Sequence, residues 1–236
     1  MHSFTKAHYA GKLMKTISIV SQKGGAGKTT LAIHLAVAAS QAGMNTAIID
    51  LDPQASSAKW ADRRQAELPA VISAQASRLA YVLDTARAEG GELAIIDTAP
   101  HSDNAALEAA RVADFVLIPC RPSILDLEAI ASSLDIAKLA HKPATVILNA
   151  IAPSGSEADE AEEAITQLGG KACPIRLVNR VAYARAIVYG QAAQEYEPHG
   201  KAAREVEPLH KFMCARLHIL TPSKKGKKNE QVRRRA

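Results

Sequence analysis

Short β-branched apolar runs alternate with longer, alanine-rich stretches along most of the chain. The runs at 16–20, 46–50, 70–73, 93–97, 115–118 and 145–148 read as strands, with a weaker seventh at 172–175. Several are nearly continuous in apolar residues, as parallel strands covered on both faces require. Between them, 28–41, 54–66, 77–88, 104–111, 124–140 and 157–168 read as helices, and two more follow near 181–188 and 201–217. In the last, Ala202, Val206, Leu209, Met213 and Leu217 recur at helical spacing and predict a core-facing stripe. Ser123, after Pro122, is placed to cap the helix at 124–140. The alternation predicts an α/β fold: a doubly wound, mainly parallel sheet of about seven strands with helices on both faces. No internal repeat and no dividing linker interrupts it.

Composition adds limits. A chain of 236 residues can bury a sizeable core in one domain. No apolar run reaches the roughly eighteen residues of a membrane span, and the first residues lack the apolar centre of a secretory signal. Cys120, Cys173 and Cys214 are widely spaced, which excludes a paired-cysteine metal site and points to a reducing cytoplasm. The net charge of +5 is unevenly distributed. From Thr221 onward seven Lys/Arg face one Glu, Lys6 and Lys12 add two more positive charges, and the body is left at about −3. The expected organisation is therefore a peripheral extension over 1–14, a body over 15–220 and a basic, disordered tail over 221–236. Such a tail either stays solvated or adds affinity for polyanions.

Three strand ends carry candidate chemistry, and ligands of open α/β sheets bind at the carboxyl ends of strands. The first run leads into KGGAGKTT, 23–30. Gly24, Gly25 and Gly27 let the backbone turn tightly and aim N–H groups at phosphate oxygens, and the helix that follows adds its positive end. Lys28 is placed to reach the β- and γ-phosphates and Thr29 to hold Mg²⁺, with Ala26 and Thr30 completing the nucleotide-binding loop. The usual phosphate loop carries glycine six positions before its lysine, where this chain has Gln22, and Lys23 is an additional lysine. The second strand end, IIDLDPQ at 48–54, presents Asp50 and Asp52. The third, IIDTAP at 95–100, presents Asp97 as the expected carboxylate near the metal.

These three elements resemble the ParA/MinD family, the deviant Walker A ATPases, with P-loop NTPase architecture. Further segments match: ADFVLIPCRPS at 113–123, VILNA at 146–150 and GQAAQEYEPHGKAAREVEPL at 190–209, the last similar to the ParA branch. The resemblance spans about 15–218 and implies ATP and Mg²⁺ as ligands, an ATP-sandwich homodimer and hydrolysis to ADP and phosphate. It implies that Lys23 reaches the partner subunit's nucleotide, that Asp52 positions the attacking water, that Asp50 supports the switch region and magnesium shell, and that Asn149 reads adenine. Gly24 then lies at the dimer contact. It also implies non-specific DNA as second ligand, bound by the ATP dimer, and a ParB-like centromere-binding protein as partner in plasmid or chromosome segregation, in a cytoplasmic, nucleoid-associated setting. Lys171, Arg180, Lys201, Arg204 and Lys211 are the candidate DNA contacts. The alternative is a MinD-like membrane-associated positioning ATPase. It is disfavoured because the apolar positions of 209–220 continue the core stripe and a polar basic segment follows. Carriage of a metal cluster would need paired cysteines, and nothing in the sequence suggests a pocket for phosphorylating a small molecule.

Overall fold

The structure, a computed structural model, describes residues 13–219. Its sheet contains β1 (Lys15–Ile19), β2 (Thr46–Asp50), β3 (Ala70–Ser73), β4 (Leu93–Asp97), β5 (Phe115–Cys120) and β6 (Ala144–Leu148). All pairings are parallel, in the order β3-β2-β4-β1-β5-β6. The helices are α1 (Lys28–Gln41), α2 (Ser56–Ala61), α3 (Leu79–Ala88), α4 (Asp103–Val112), α5 (Ile124–Leu139), α6 (Glu157–Gln167), α7 (Val181–Val188), α8 (Ala193–Tyr196) and α9 (Lys201–Arg216).

Both faces of the sheet are covered. Ile17, Ile19, Ile48, Ile95 and Leu117 pack under α1 and α9 on one side. On the other, Val116, Ile118, Val146 and Leu148 pack with α5 and α6, and Ile49 and Ile96 pack with α3. The stripe expected on α9 is buried throughout, from Ala202 to Leu217. Ser123 caps α5 by accepting the Asp126 N–H.

Four features differ from the sequence expectation, one of them the short helix α8, which the sequence pattern did not mark. The sheet has six strands instead of about seven, because 172–175 supplies only an isolated bridge between Ala172 and Val146. Pro174 has no N–H with which to extend that ladder. Helix α2 ends at Ala61, short of the expected 66. Beyond it, the Arg64 guanidinium is held by Glu195 and by the Leu68 and Gly190 carbonyls, which fixes the chain in a turn. Met14, counted with the extension, is buried against the α3 side of the core. The rest of the extension up to 12, and the tail over 221–236, lie outside the described residues.

The parallel register sets the site. Asp50 and Asp97 are direct neighbours at the ends of β2 and β4, and Ile19 at the end of β1 is level with Asp97. The loop leaving β1 therefore starts beside both carboxylates.

Candidate functional site

The loop between β1 and α1 turns on two left-handed glycines, Gly25 at φ 74° and Gly27 at φ 98°. Gly27 has no room for a side chain, because a Cβ there would run into the Asn149 amide. That amide donates to the Ala26 carbonyl at 2.9 Å and ties the end of β6 to the loop. A Cβ on Gly24 would meet no atom within 4 Å. Helix α1 begins without a side-chain cap and without an acidic residue in its first turn. Its first N–H groups therefore suit an external anion.

Lys28 is buried, and its Nζ donates to the Ser21 and Lys23 carbonyls at 3.0 and 3.3 Å. Burial lowers its pKa, opposed by the negative charges of Asp97 and Asp52. Lys23 is half-buried at the loop's start; its backbone N–H donates to Ser21 Oγ.

The two strand-end carboxylates do different work. Asp50 is buried and accepts backbone N–H bonds from Asp52, Ser57 and Ala58 at 3.0–3.2 Å. It thereby holds the turn after β2 and the start of α2. Burial raises its pKa against the pull of those three donors. Asp97 is fully buried and accepts from Ser57 Oγ at 2.9 Å through Oδ2, while Oδ1 has no hydrogen-bond partner. Burial pushes Asp97 up to about 7, opposed by the Thr29 and Ser57 hydroxyls and by Lys28. A buried carboxylate oxygen left unpaired beside Thr29 fits a divalent cation. Among the described residues, no group of three or more His, Cys, Asp or Glu could hold a metal. A cation here would therefore take most of its shell from phosphate oxygens and water. Asp52 is half-buried at the cavity edge, with its Oδ1 accepting the Gln54 N–H at 2.9 Å.

An open cavity of about 490 Å³ lies over the loop and Asp52; Lys23, Asp50 and Asp97 are near it but are not among its lining residues. Gly25, Gly27, Lys28, Thr29, Thr30 and Asp52 form its inner wall. Asn149, Val178, Asn179, Arg180, Tyr183 and Ala184 form the outer wall, and Arg121 stands at the rim. Loop, strand-end carboxylates and Asn149 are thus brought together as a site for a polyphosphate joined to a larger group. Ser57, which bridges the Asp50 and Asp97 environments, and the outer-wall residues Asn179 and Tyr183 were not singled out from sequence. Ser57 lies seven residues after Asp50, a spacing that marks nothing by itself.

The five basic candidates are not brought together. Lys201, Arg204 and Lys211 share the exposed face of α9, opposite its buried stripe. Arg204 donates to the His199 carbonyl and Lys211 pairs with Glu207. Lys171 follows α6 beside the sheet edge at β6, with its carbonyl accepting the Val146 N–H. Arg180 lines the cavity, its guanidinium bonded to Glu205. Arg185, on the exposed side of α7, is a further surface cation that sequence reading passed over.

Comparison with known proteins agrees with this geometry. Residues 17–192 match the family model described as the CobQ/CobB/MinD/ParA nucleotide binding domain. The chain is 33% identical over 210 residues to the "Maintenance of carboxysome distribution protein A" of Gloeobacter kilaueensis, covering 86% of this chain and 94% of that protein. It is 27% identical over 223 residues to "Protein ParA" of Rhizobium radiobacter, covering 88% and 98%. Among solved structures, the Cyanothece McdA(D38A)–ATP complex superposes with a TM-score of 0.72 at 18% identity, covering 91% of this chain and 100% of that one. The chain belongs to the ParA/MinD family of P-loop nucleotide-binding domains.

Proposed function

Starting from that membership, we propose that the protein is a Mg²⁺-dependent ATPase whose ATP-bound homodimer binds DNA without sequence preference and positions a cargo. The observation that carries the nucleotide part is the buried cluster at the strand ends. Lys28 is buried with its Nζ on the loop carbonyls, where a phosphate chain cradled by the loop would lie, and Asp97, which interacts with Thr29, keeps Oδ1 unpaired. Thr29 and Asp97 would hold Mg²⁺, which when bound neutralises phosphate charge. Asn149 supports adenine as the base, since its Nδ2 is committed to Ala26 and leaves Oδ1 to accept. Asp52 is the residue for orienting water, and Asp50 holds the backbone that carries it.

Lys23 and Gly24 are the dimer residues in this reading. Gly24 is exposed with open space above it, so a facing subunit could approach the loop and Lys23 could add a cation in trans where negative charge develops. Hydrolysis would then dissolve the dimer. Lys201, Arg204 and Lys211, with Glu207 bonded to Lys211 among them, are cations on one exposed face of α9 that two copies would add together against DNA. Lys171 is a more distant addition. The assignment of 1–14 and 221–236 as appendages to a 15–220 ATPase domain belongs to the same proposal.

The cargo is a plasmid, a chromosome or a protein assembly, with a ParB-like protein as the expected link for DNA cargo. The carboxysome-distribution relative supports the protein-assembly reading alongside the partition reading. A cytoplasmic, nucleoid-associated location follows from DNA as the second ligand. Among the described residues no helix is long and apolar enough to cross a membrane. Sedimentation with DNA or with anionic liposomes, each with ATP, ADP or no nucleotide, tests the proposal. Retention on DNA with ATP alone is expected. ATP-dependent pelleting with liposomes and none with DNA would replace it by the membrane reading.

A further inference from the structure

Glu205 lies on α9 one residue beyond Arg204, yet its carboxylate turns away from solvent, with its side chain 16% exposed. It collects donors from the outer wall of the nucleotide cavity. Val178 N–H donates to Oε2 at 3.2 Å, Tyr183 Oη donates to Oε2 at 3.0 Å and Arg180 Nε donates to Oε1 at 2.7 Å. All three donor residues line the cavity. The wall is also held from the inner side. The Tyr183 ring packs edge-on against His34 at 5.0 Å, and His34 Nδ1 is 2.6 Å from the carbonyl of Thr30 in the first turn of α1. One carboxylate thus joins the cavity wall to the helix that carries Lys201 and Arg204.

We propose that Glu205 is a positioning residue of the nucleotide site: it holds the 178–183 wall against α9, so that filling the cavity and setting the first turns of α9 are linked. This rests on the nucleotide reading above. A nucleotide pressing on Val178 or Arg180 moves the donors that grip Glu205, and a ligand gripping α9 moves the same joint from the other end. Linkage of this kind is reciprocal. A carboxylate with three charge-assisted or buried bonds is well suited to carry it, because leaving any of those donors unpaired is costly.

The test uses the full chain with Mg-ADP, which separates the joint from dimerisation and hydrolysis. Calorimetric titration and amide hydrogen exchange are run on wild type, Glu205→Gln and Tyr183→Phe. In wild type, Mg-ADP is expected to slow exchange in 23–30, in 178–184 and in the first two turns of α9. Glu205→Gln should bind Mg-ADP about tenfold more weakly. At saturation it should still protect 23–30 and lose the response of α9. Tyr183→Phe, which keeps the ring and removes one donor, should shift both readouts the same way by a smaller factor, and it carries the test if Glu205→Gln does not fold. A Glu205 that merely stabilises the fold would lower the melting temperature and leave the response of α9 at saturation intact. That result, affinity within twofold of wild type, or a wild-type α9 indifferent to nucleotide overturns the proposal. Failure of Mg-ADP to protect 23–30 in wild type instead overturns the nucleotide reading, and the inference with it.

Discussion

On the inner side of the site, Lys28 lines the cavity, and Asp50, Ser57 and Asp97 cluster near it at strand ends and turns that the parallel sheet sets side by side; all four are buried. On the outer wall, Arg180 and Tyr183 line the cavity and are joined behind it by Glu205 of α9, in contacts that bridge the start of α7 and α9. The inner wall is built for charge: an ammonium, two carboxylates and a row of N–H groups in a dry setting. The outer wall is built from hydrogen bonds between elements distant in sequence. In the proposal above, the ligand bound by the first is sensed by the second. On the readings proposed above, binding chemistry sits at the strand ends of the sheet and the link to α9 sits where helices meet.

The largest expected effect comes from the inner wall. Lys28→Ala removes a buried cation from the phosphate path and should weaken ATP binding by about 100-fold or more, read by calorimetry. Outer-wall substitutions should stay near tenfold, and an equal loss from both would erase the distinction.

A second contrast lies inside the loop. Gly27→Val places a side chain against Asn149 at a left-handed φ, so the apo protein should lose about 2 kcal/mol or more in urea unfolding and lose nucleotide binding. Gly24→Val enters open space, so it should leave unfolding and ATP binding near wild type and remove ATP-dependent dimerisation. Unchanged dimerisation of Gly24→Val by light scattering would show that this face does not meet a partner.

The joint between the walls gives a pH dependence. His34 is fully buried, with burial lowering its pKa to about 4, opposed by its contact to the Thr30 carbonyl and by the Glu195 charge. The unfolded chain protonates His34 near its ordinary value while the folded protein keeps it neutral. Stability from this group is therefore complete above about pH 6.5 and is lost as pH falls toward 4, by roughly 3 kcal/mol in total. Thermal unfolding across pH 4–7 should show this acid slope, and His34→Gln should flatten it. An unchanged slope would mean that the ring is already charged or solvated.

The smallest effects belong to α9. Lys201→Ala and Arg204→Ala should each lower DNA affinity several-fold and reduce the salt slope by about one, with ATP affinity unchanged. Lys171→Ala, on the far side of β6, should matter less than either.

How much was legible in sequence follows the same division. The strand, glycine loop and helix at 15–41 lie within one local pattern, and Asp50 and Asp97 are strand-end residues whose parallel alignment is set by the fold class. Asn149 was readable only through the family resemblance, since its partner Ala26 is 123 residues away. Arg180 was read as a candidate DNA contact with no sign of its place on the cavity wall, because its partner Glu205 is 25 residues on, across α7 and α8. The early end of α2 was invisible for a like reason: Arg64 is turned by Glu195, 131 residues later. The stripe on α9 was legible because helical period alone determines it, whereas 172–175 failed as a strand because an apolar run says nothing of the ladder that Pro174 interrupts.

In the function proposed above, ATP closes two copies over the loop that carries Lys23 and Gly24. Light scattering of Asp52→Ala, in which hydrolysis should be slowed, measures this most directly with Mg-ATP, Mg-ADP and no nucleotide. A mass near twice the 25.1 kDa chain with Mg-ATP alone, returned to one chain by Lys23→Ala or Gly24→Val in the same background, is the predicted result. A species that binds Mg-ATP at saturation and stays at 25.1 kDa would contradict it.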